Sequence, residues 1–241
     1  MVPDQMAVFV PSRGRPENLA RLMDAVTRTA KGETHVYGGV DFDDPRKADY
    51  YRLAERQNEA GTGHKIWFGD GRQNLVQWTN WLAEAEKGRH RFLASLGDDM
   101  VPRTPGWDVK LMGAIDEDFG GAGISYPWDG VRDDIPEAYV VSANLVDALG
   151  WMMLPTLKHW WNDNVWADLG HGAGCIRQLR GVVIEHLNVG MGKAEVDQTA
   201  LEAGKGIPED QAAYNAWFSS GRLADVERVR ALNHSLISAT V

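Results

Sequence analysis

The feature that most constrains the fold of this chain is the regular alternation of short apolar runs with amphipathic segments across its first hundred residues. Between the runs, apolar residues recur every three or four positions, which is the spacing of one helix face. The runs lie at 7–11, 35–40, 65–68 and 91–97, and the helical segments lie at 17–30, 47–57 and 74–86. Such an alternation is typical of a parallel, right-handed α/β sheet flanked by helices.

Three of the predicted strands end in charged residues. Two arginines in Ser-Arg-Gly-Arg-Pro follow the first strand, Asp41 follows the second, and Asp98 and Asp99 follow the fourth. Ligands of open α/β sheets bind beyond the carboxyl ends of the strands. Two adjacent carboxylates at that edge predict a hard divalent cation, Mg²⁺ or Mn²⁺. The alternative for the two aspartates is an acidic surface turn, and the alternative for the two arginines is an ordinary solvated loop.

The second half of the chain carries a second acidic constellation. The pattern predicts a helix over 106–119, strands over 120–126, 139–143 and 181–187, a mobile loop over 127–136, and a helical tail over 208–232. Asp163 lies in the constellation, among residues that also suit a helix N-cap. His186 lies on the last predicted strand, where a packed histidine bonded to the backbone is equally consistent. No repeat or linker divides the chain, so we expect one domain.

Composition limits the function further. The net charge of −9, from 25 basic and 34 acidic residues, disfavours a nucleic-acid coat or a membrane-surface role. The single cysteine, Cys175, excludes an internal disulfide and every multi-cysteine metal motif. No apolar stretch approaches the roughly 20 residues of a membrane span, and the N-terminus lacks a signal-peptide pattern. We therefore expect a cytoplasmic protein with no membrane partner, and no feature implies a protein partner.

Four elements stand in an order that resembles family 2-type glycosyltransferases of the GT-A fold, particularly the short members found in bacteriophage genomes. They are the Pro-Ser-Arg loop, the strand ending at Asp41, the Gly-Asp-Asp strand end, and the aspartate in Trp-Asn-Asp-Asn at 161–164. The resemblance covers residues 6–190 and implies a single Rossmann-like α/β domain over 1–241, with a mixed, mostly parallel sheet. Its expected parts are a nucleotide-sugar-binding half (1–102), an acceptor and catalytic half (103–190), and a C-terminal helical extension (191–241).

The resemblance also implies residue roles. The nucleotide sugar would contact Pro11, Arg13, Asp41, Arg72 and Asp98. Asp99 and His186 would hold Mn²⁺ or Mg²⁺, with His171 a weaker competitor, and Asp163 would be the catalytic base. The expected acceptor-side residues are Trp151, Trp161, Arg177 and Arg180.

The function implied is a metal-dependent, inverting transfer of a sugar from a nucleoside diphosphate to an acceptor hydroxyl, with UDP the expected nucleotide. The acceptor stays open among glycan, protein, lipid and 5-hydroxymethylpyrimidine in phage DNA. A phage enzyme would act in the host cytoplasm. Two other functions remain: a nucleotidyltransferase that makes a sugar nucleotide, and a non-catalytic sugar-nucleotide binder. The first usually opens with a Gly-Gly loop, which the Ser-Arg-Gly-Arg loop matches poorly, and the second would be expected to lack Asp163 or the Asp pair.

Overall fold

The computed structural model describes residues 5–187, 192–193 and 197–239. Residues 1–4, 188–191, 194–196 and 240–241, which fall in the predicted halves and extension, lie outside the described residues. The strands are β1 (Gln5–Pro11), β2 (Glu33–Val40), β3 (Lys65–Phe68), β4 (Phe92–Ser95), β5 (Met100–Pro102), β6 (Ile124–Trp128), β7 (Tyr139–Ser142) and β8 (Ile176–His186). The helices are α1 (Pro16–Thr29), α2 (Lys47–Glu59), α3 (Leu75–Ala85), α4 (Trp107–Phe119), α5 (Ala143–Leu149), α6 (Asn162–Ala173), α7 (Gln198–Gly204), α8 (Ile207–Ser220) and α9 (Arg222–Ala239).

The strands form one mixed sheet in the order β3-β2-β1-β4-β7-β6-β8-β5. β1 lies between β2 and β4 and runs parallel to both, which explains its unbroken apolar run. The register pairs Pro11 with Gly39 and Phe9 with Ser95, so β1, β2 and β4 end at the same edge of the sheet. The predicted α/β class and the mixed, mostly parallel sheet are confirmed.

The second half of the sheet is joined to the first by antiparallel pairs. β7 runs antiparallel to β4 and to β6, and β8 runs parallel to β6. β5 follows directly after Asp99 and pairs antiparallel with β8, so that Met100 lies opposite His186. This pairing brings the end of the last strand to the carboxylates that follow β4.

The sequence pattern did not indicate three features of this half. β5 has only three residues, and β8 begins at Ile176, five residues before its predicted start. Helix α6 contains two glycines and several Asn and Asp residues, all poor helix formers. Burial of Trp166 and Leu169 in the core stabilises it instead.

The core lies on both faces of the sheet. Ala7 and Phe9 of β1 face one apolar cluster, while Val8 and Val10 face the other, as expected for alternating side chains on a strand. The first cluster includes residues of α3, α5 and α6 together with residues of the C-terminal helices, and the second includes residues of α1 and α4. Among the helices that the structure describes, none has both the length and the apolar character needed to cross a membrane.

Candidate functional site

The loop after β1 and the first carboxylate after β4 form one buried hydrogen-bond chain. The Ser12 hydroxyl donates to Asp98 Oδ2 at 2.7 Å and shares a 2.7 Å bond with the Tyr50 hydroxyl. Arg15 Nη1 lies 3.3 Å from Asp98 Oδ1. Burial raises the pKa of Asp98 to about 6, against the opposing effects of Arg15 and Ser12. Asp98 is therefore held by donors of the protein itself.

Asp41 directly follows β2, and its side chain accepts three hydrogen bonds at the same edge. Trp78 Nε1 and the Gln73 backbone N–H donate to Oδ1 at 2.8 and 2.9 Å, and Arg13 Nη1 donates to Oδ2 at 2.8 Å. A Cβ added at Gly39 would lie 2.6 Å from the Trp78 ring, so this glycine is required for the indole to reach Asp41. Arg13 and Asp41 lie at one rim as the sequence predicted, whereas Trp78 lies in a predicted helical segment whose pattern carries no signal for its bond to Asp41.

The other two residues predicted to contact the nucleotide sugar, Pro11 and Arg72, lie near the same rim. Pro11 ends β1, and the following Ser12 N–H donates to the Gly39 carbonyl at 2.9 Å. Arg72 is half exposed and forms an ion pair with Glu202 of α7. Arg15 pairs with Asp197 through Nε at 2.5 Å. The C-terminal segment thus contacts two arginines of the rim, an arrangement that the sequence did not predict.

Asp99, His186 and Glu137 form a second group beside the first. His186 Nε2 lies 3.4 Å from Asp99 Oδ2, and its Nδ1 lies 2.7 Å from Glu137 Oε2. Although burial acts in the opposite direction, the two carboxylates raise the pKa of His186 to about 10. Burial likewise favours a higher pKa for Asp99, but the hydrogen bond and charge of His186 hold it below the ordinary value. Glu137 was not among the predicted site residues, because its position before β7 carries no local sequence signal.

The described part of the chain contains no group of three or more His, Cys, Asp or Glu side chains that could hold a metal ion by themselves. Asp99 and His186 nevertheless fit a site with two protein ligands. Two donors at about 2.1 Å from an octahedral cation lie roughly 3 Å apart, and the atoms here lie 3.4 Å apart. Mg²⁺ and Mn²⁺ sites of this kind are completed by phosphate oxygens and water. His171 lies exposed in the last turn of α6, so the structure places His186, not His171, beside Asp99.

Asp163 lies in the first turn of α6. The N-cap is Trp161, which has a positive φ of 66° and no capping side-chain bond. Asp163 Oδ1 accepts the N–H of the next residue, Asn164, at 2.9 Å, and because the N-cap position is held by Trp161, the N-cap alternative for Asp163 is wrong. Burial, assisted by the charge of Glu137, raises the pKa of Asp163 to about 6. A carboxylate with such a pKa can accept a proton near neutral pH.

A buried carboxylate of the C-terminal extension fixes the segment before α6. Asp210, which is 1% exposed, accepts the backbone N–H groups of Lys158, His159 and Trp160 at 2.8 to 2.9 Å. Trp161 and Asp163 follow directly in the chain. The sequence around Asp210 predicts only a helix and gives no indication of these three hydrogen bonds.

The predicted acceptor-side residues are only partly brought together. Trp151 packs against the buried Trp166 at a centroid distance of 5.9 Å, on the face of the sheet that also holds α6. Arg177 and Arg180 lie on β8, roughly 30 and 20 Å before His186 along an extended strand. Each is half or more exposed and is already paired with a carboxylate, Asp118 for Arg177 and Asp133 for Arg180. Because β8 starts earlier than predicted, both arginines lie within the strand, and their acceptor-side role stays a prediction.

No protein-family model and no curated protein matches this chain. Solved structures do resemble it. Mannosyltransferase PcManGT from Pyrobaculum calidifontis, in complex with GDP-Man and Mn²⁺, is 12% identical with a TM-score of 0.62, covering 100% of this chain and 86% of its own. S. aureus TarS 1-349, in complex with UDP-GlcNAc, is 12% identical with a TM-score of 0.60, and the match covers 83% of this chain and 64% of the TarS chain. GalNAc-T7, with UDP, GalNAc and Mn²⁺, is 13% identical with a TM-score of 0.64, and the match covers 76% of this chain and 44% of the GalNAc-T7 chain.

These similarities establish the fold. The chain has the mixed α/β sheet and flanking helices of GT-A glycosyltransferases, as its sequence predicted. It spans less than two thirds of the length of the TarS and GalNAc-T7 chains that it matches. The resemblance to short bacteriophage members stays a prediction.

Proposed function

We propose that this protein is a metal-dependent glycosyltransferase that moves a sugar from a nucleoside diphosphate to an acceptor hydroxyl. The observation that carries the proposal is the placement of Asp99 and His186 beside the Asp41 and Asp98 rim, at the carboxyl ends of β2 and β4. The similar structures of TarS, GalNAc-T7 and PcManGT hold UDP-GlcNAc, UDP with Mn²⁺, and GDP-Man with Mn²⁺. That similarity supports a nucleotide-sugar donor for this chain.

The donor nucleoside binds along the rim in this proposal. Pro11, Arg13 and Asp41 receive the base and ribose, with Asp98 behind them and Arg72 at the outer side. The buried bonds to Asp41 and Asp98 hold these carboxylates in place before a ligand arrives, which lowers the ordering cost of binding. We propose UDP as the nucleotide.

Asp99 and His186 hold Mn²⁺ or Mg²⁺, completed by the donor diphosphate. When bound, the cation neutralises the negative charge that develops on the leaving diphosphate. His186 and Asp99 also pair with each other, which compensates the charges of two partly buried groups.

Asp163 accepts the proton of the acceptor hydroxyl in this proposal. Its pKa of about 6 leaves it mostly ionised at pH 7 yet basic enough for proton transfer. A single base that activates the hydroxyl for direct attack on the sugar gives inversion at the anomeric carbon. Arg132, whose charge acts on Asp163, lies in the loop between β6 and β7.

The surroundings of the cleft favour an uncharged acceptor. The loop over 129–137 carries four carboxylates and one arginine, and both Arg177 and Arg180 are already paired. A polyanion such as DNA requires a basic surface to neutralise its phosphates. We therefore propose a hydroxyl of a glycan, protein or lipid as the acceptor, and 5-hydroxymethylpyrimidine DNA as the alternative that the assay must include.

Calorimetry with UDP tests the donor and metal assignment. We expect UDP binding in Mn²⁺, loss of that binding in EDTA, and loss in Asp99→Asn. The control is Asp24→Asn, which removes an exposed carboxylate of α1 and should bind UDP like the wild type. Equal UDP affinity in EDTA and Mn²⁺ would remove the metal role.

Mass spectrometry tests transfer itself. The purified protein is incubated with Mn²⁺, a panel of UDP- and GDP-sugars, and neutral glycans, peptides, lipids or hydroxymethylated DNA. A mass increase of one sugar on an acceptor identifies the donor and the acceptor class together. Modification of DNA alone would reverse the acceptor proposal and leave the glycosyltransferase proposal intact, whereas UDP binding without transfer to any acceptor would favour a non-catalytic binder.

A further inference from the structure

We infer that Glu137 is a positioning residue for the metal site: its carboxylate fixes the His186 ring so that Nε2 faces Asp99. The inference rests on the proposed function. Its geometric basis is the 2.7 Å distance between Glu137 Oε2 and His186 Nδ1, together with the 3.4 Å distance between His186 Nε2 and Asp99 Oδ2. One imidazole thus bridges two carboxylates that come from different parts of the sheet.

The ring has a physical need for such a partner. A histidine that binds a metal through one nitrogen generally donates its other N–H to a carboxylate or carbonyl, which sets the tautomer and the ring orientation. His186 is the last residue of β8, so no following strand residue restricts its side chain. Glu137 has a side-chain exposure of 16%, so water competes only weakly for its bond to Nδ1.

The same residue ties the loop over 129–137 to the metal site. At one end of the loop, the Asp129 carbonyl accepts the His186 backbone N–H at 2.9 Å. At the other end, Glu137 accepts the His186 ring N–H. Both ends of the loop are therefore hydrogen-bonded to His186. Arg132, within the loop, interacts with Asp163 through its charge. A shift of the Glu137 side chain would reach both the cation and the acceptor side.

An ordinary structural ion pair is the competing explanation, and two substitutions separate them. Glu137→Ala removes the acceptor of the Nδ1–H bond altogether. Glu137→Gln removes the charge but keeps an amide oxygen that can accept the same bond, so the ring keeps its orientation. The matched control is Glu185→Gln, beside His186 in sequence, where the carboxylate pairs with Arg103 at 2.8 Å and not with His186.

The test measures Mn²⁺ affinity by electron paramagnetic resonance at saturating UDP, so that no turnover is needed. We expect Glu137→Ala to weaken Mn²⁺ binding by about 10- to 100-fold, the usual effect of losing such a partner. Glu137→Gln should lose only severalfold, and Glu185→Gln should match the wild type. Thermal unfolding monitored by circular dichroism confirms that each variant is folded at the temperature of the measurement.

Several results would overturn the inference. Mn²⁺ affinity of Glu137→Ala within about twofold of the wild type would make the pair purely structural. Equal losses in Glu137→Gln and Glu137→Ala would assign the effect to charge and not to ring orientation. If Glu137→Ala does not fold, Glu137→Gln must still bind Mn²⁺ more weakly than Glu185→Gln. Absence of Mn²⁺ binding in the wild type would instead refute the proposed function, and the inference with it.

Discussion

Replacing Asp163 by Asn should make the protein more stable and much less active at the same time. The folded protein raises the pKa of this carboxyl from its ordinary value of 3.8 to about 6. An acid whose pKa is raised on folding favours the folded state while protonated and opposes folding once ionised. This destabilisation of the folded state is absent well below pH 4 and reaches its full size above pH 6. An asparagine side chain carries no charge at any pH, so Asp163→Asn removes this cost.

The magnitude follows from the pKa difference. A pKa difference of about 2, at 1.36 kcal/mol for each pKa unit, corresponds to a destabilisation of the folded state by about 3 kcal/mol at pH 8. The same relation leaves about 1 kcal/mol at pH 4.5, because most of the carboxyl is then protonated in the folded state. For a chain of this length, each kcal/mol moves the Tm by about 2–4 °C, so the gain at pH 8 is about 6–12 °C. The amide oxygen of the new side chain can still accept the Asn164 N–H, so no bond is lost.

Thermal unfolding in EDTA without donor measures this difference directly. We expect the Tm of Asp163→Asn to exceed that of the wild type at pH 8 and the excess to shrink to about a third at pH 4.5. Asp147→Asn removes an exposed carboxylate of α5 and should show no such pH-dependent gain. A gain independent of pH, or no gain at pH 8, would refute the electrostatic reasoning.

Turnover of the same variant tests the catalytic role. We expect a fall on the order of 10²-fold or more, because the general base is gone while donor and metal ligands remain. UDP affinity measured beside it should stay close to that of the wild type. Near-normal turnover in a more stable variant would mean that Asp163 carries its raised pKa for no catalytic purpose.

Two further substitutions probe the buried bonds that shape the site. Asp210→Ala should destabilise the protein by about 3 kcal/mol or more in urea unfolding, because three consecutive backbone N–H groups lose their acceptor. The control is Glu209→Ala, which removes the exposed carboxylate next to Asp210 and should cost less than about 0.5 kcal/mol. Equal losses of stability in the two variants would contradict the role of Asp210. Trp78→Phe should weaken UDP binding severalfold, because Asp41 loses one of the three hydrogen bonds that hold it in place before the ligand binds. Trp81→Phe, on an exposed indole packed against Trp78, is the control, and the argument fails if it weakens UDP binding as much.

The first half of the sheet and the rim that carries Arg13, Asp41 and Asp98 could be predicted from the sequence. Apolar runs and helical spacing are local signals, and parallel strands joined by helices end at one edge whatever their exact register. For that reason Arg13, Asp41 and Asp98 could be placed together from the sequence alone, and the structure finds Arg13 bonded to Asp41. The role of Trp78 needed coordinates, because only the close approach of two backbone segments shows that Gly39 makes room for it.

The group formed by Asp99, His186 and Glu137 depends on contacts between distant parts of the chain, which local sequence patterns do not encode. His186 reaches Asp99 because β8 pairs antiparallel with the three-residue β5, and so short a strand has no local pattern of its own. Glu137 reaches His186 across 49 residues of sequence, through loop closure that no periodicity encodes. β8 starts earlier than predicted for the same reason, because its pairing with β6 begins at Ile176 and so includes Arg177 and Arg180 in the strand. Local patterns act within a few residues, whereas pairing between distant strands depends on which arrangement buries the most apolar surface.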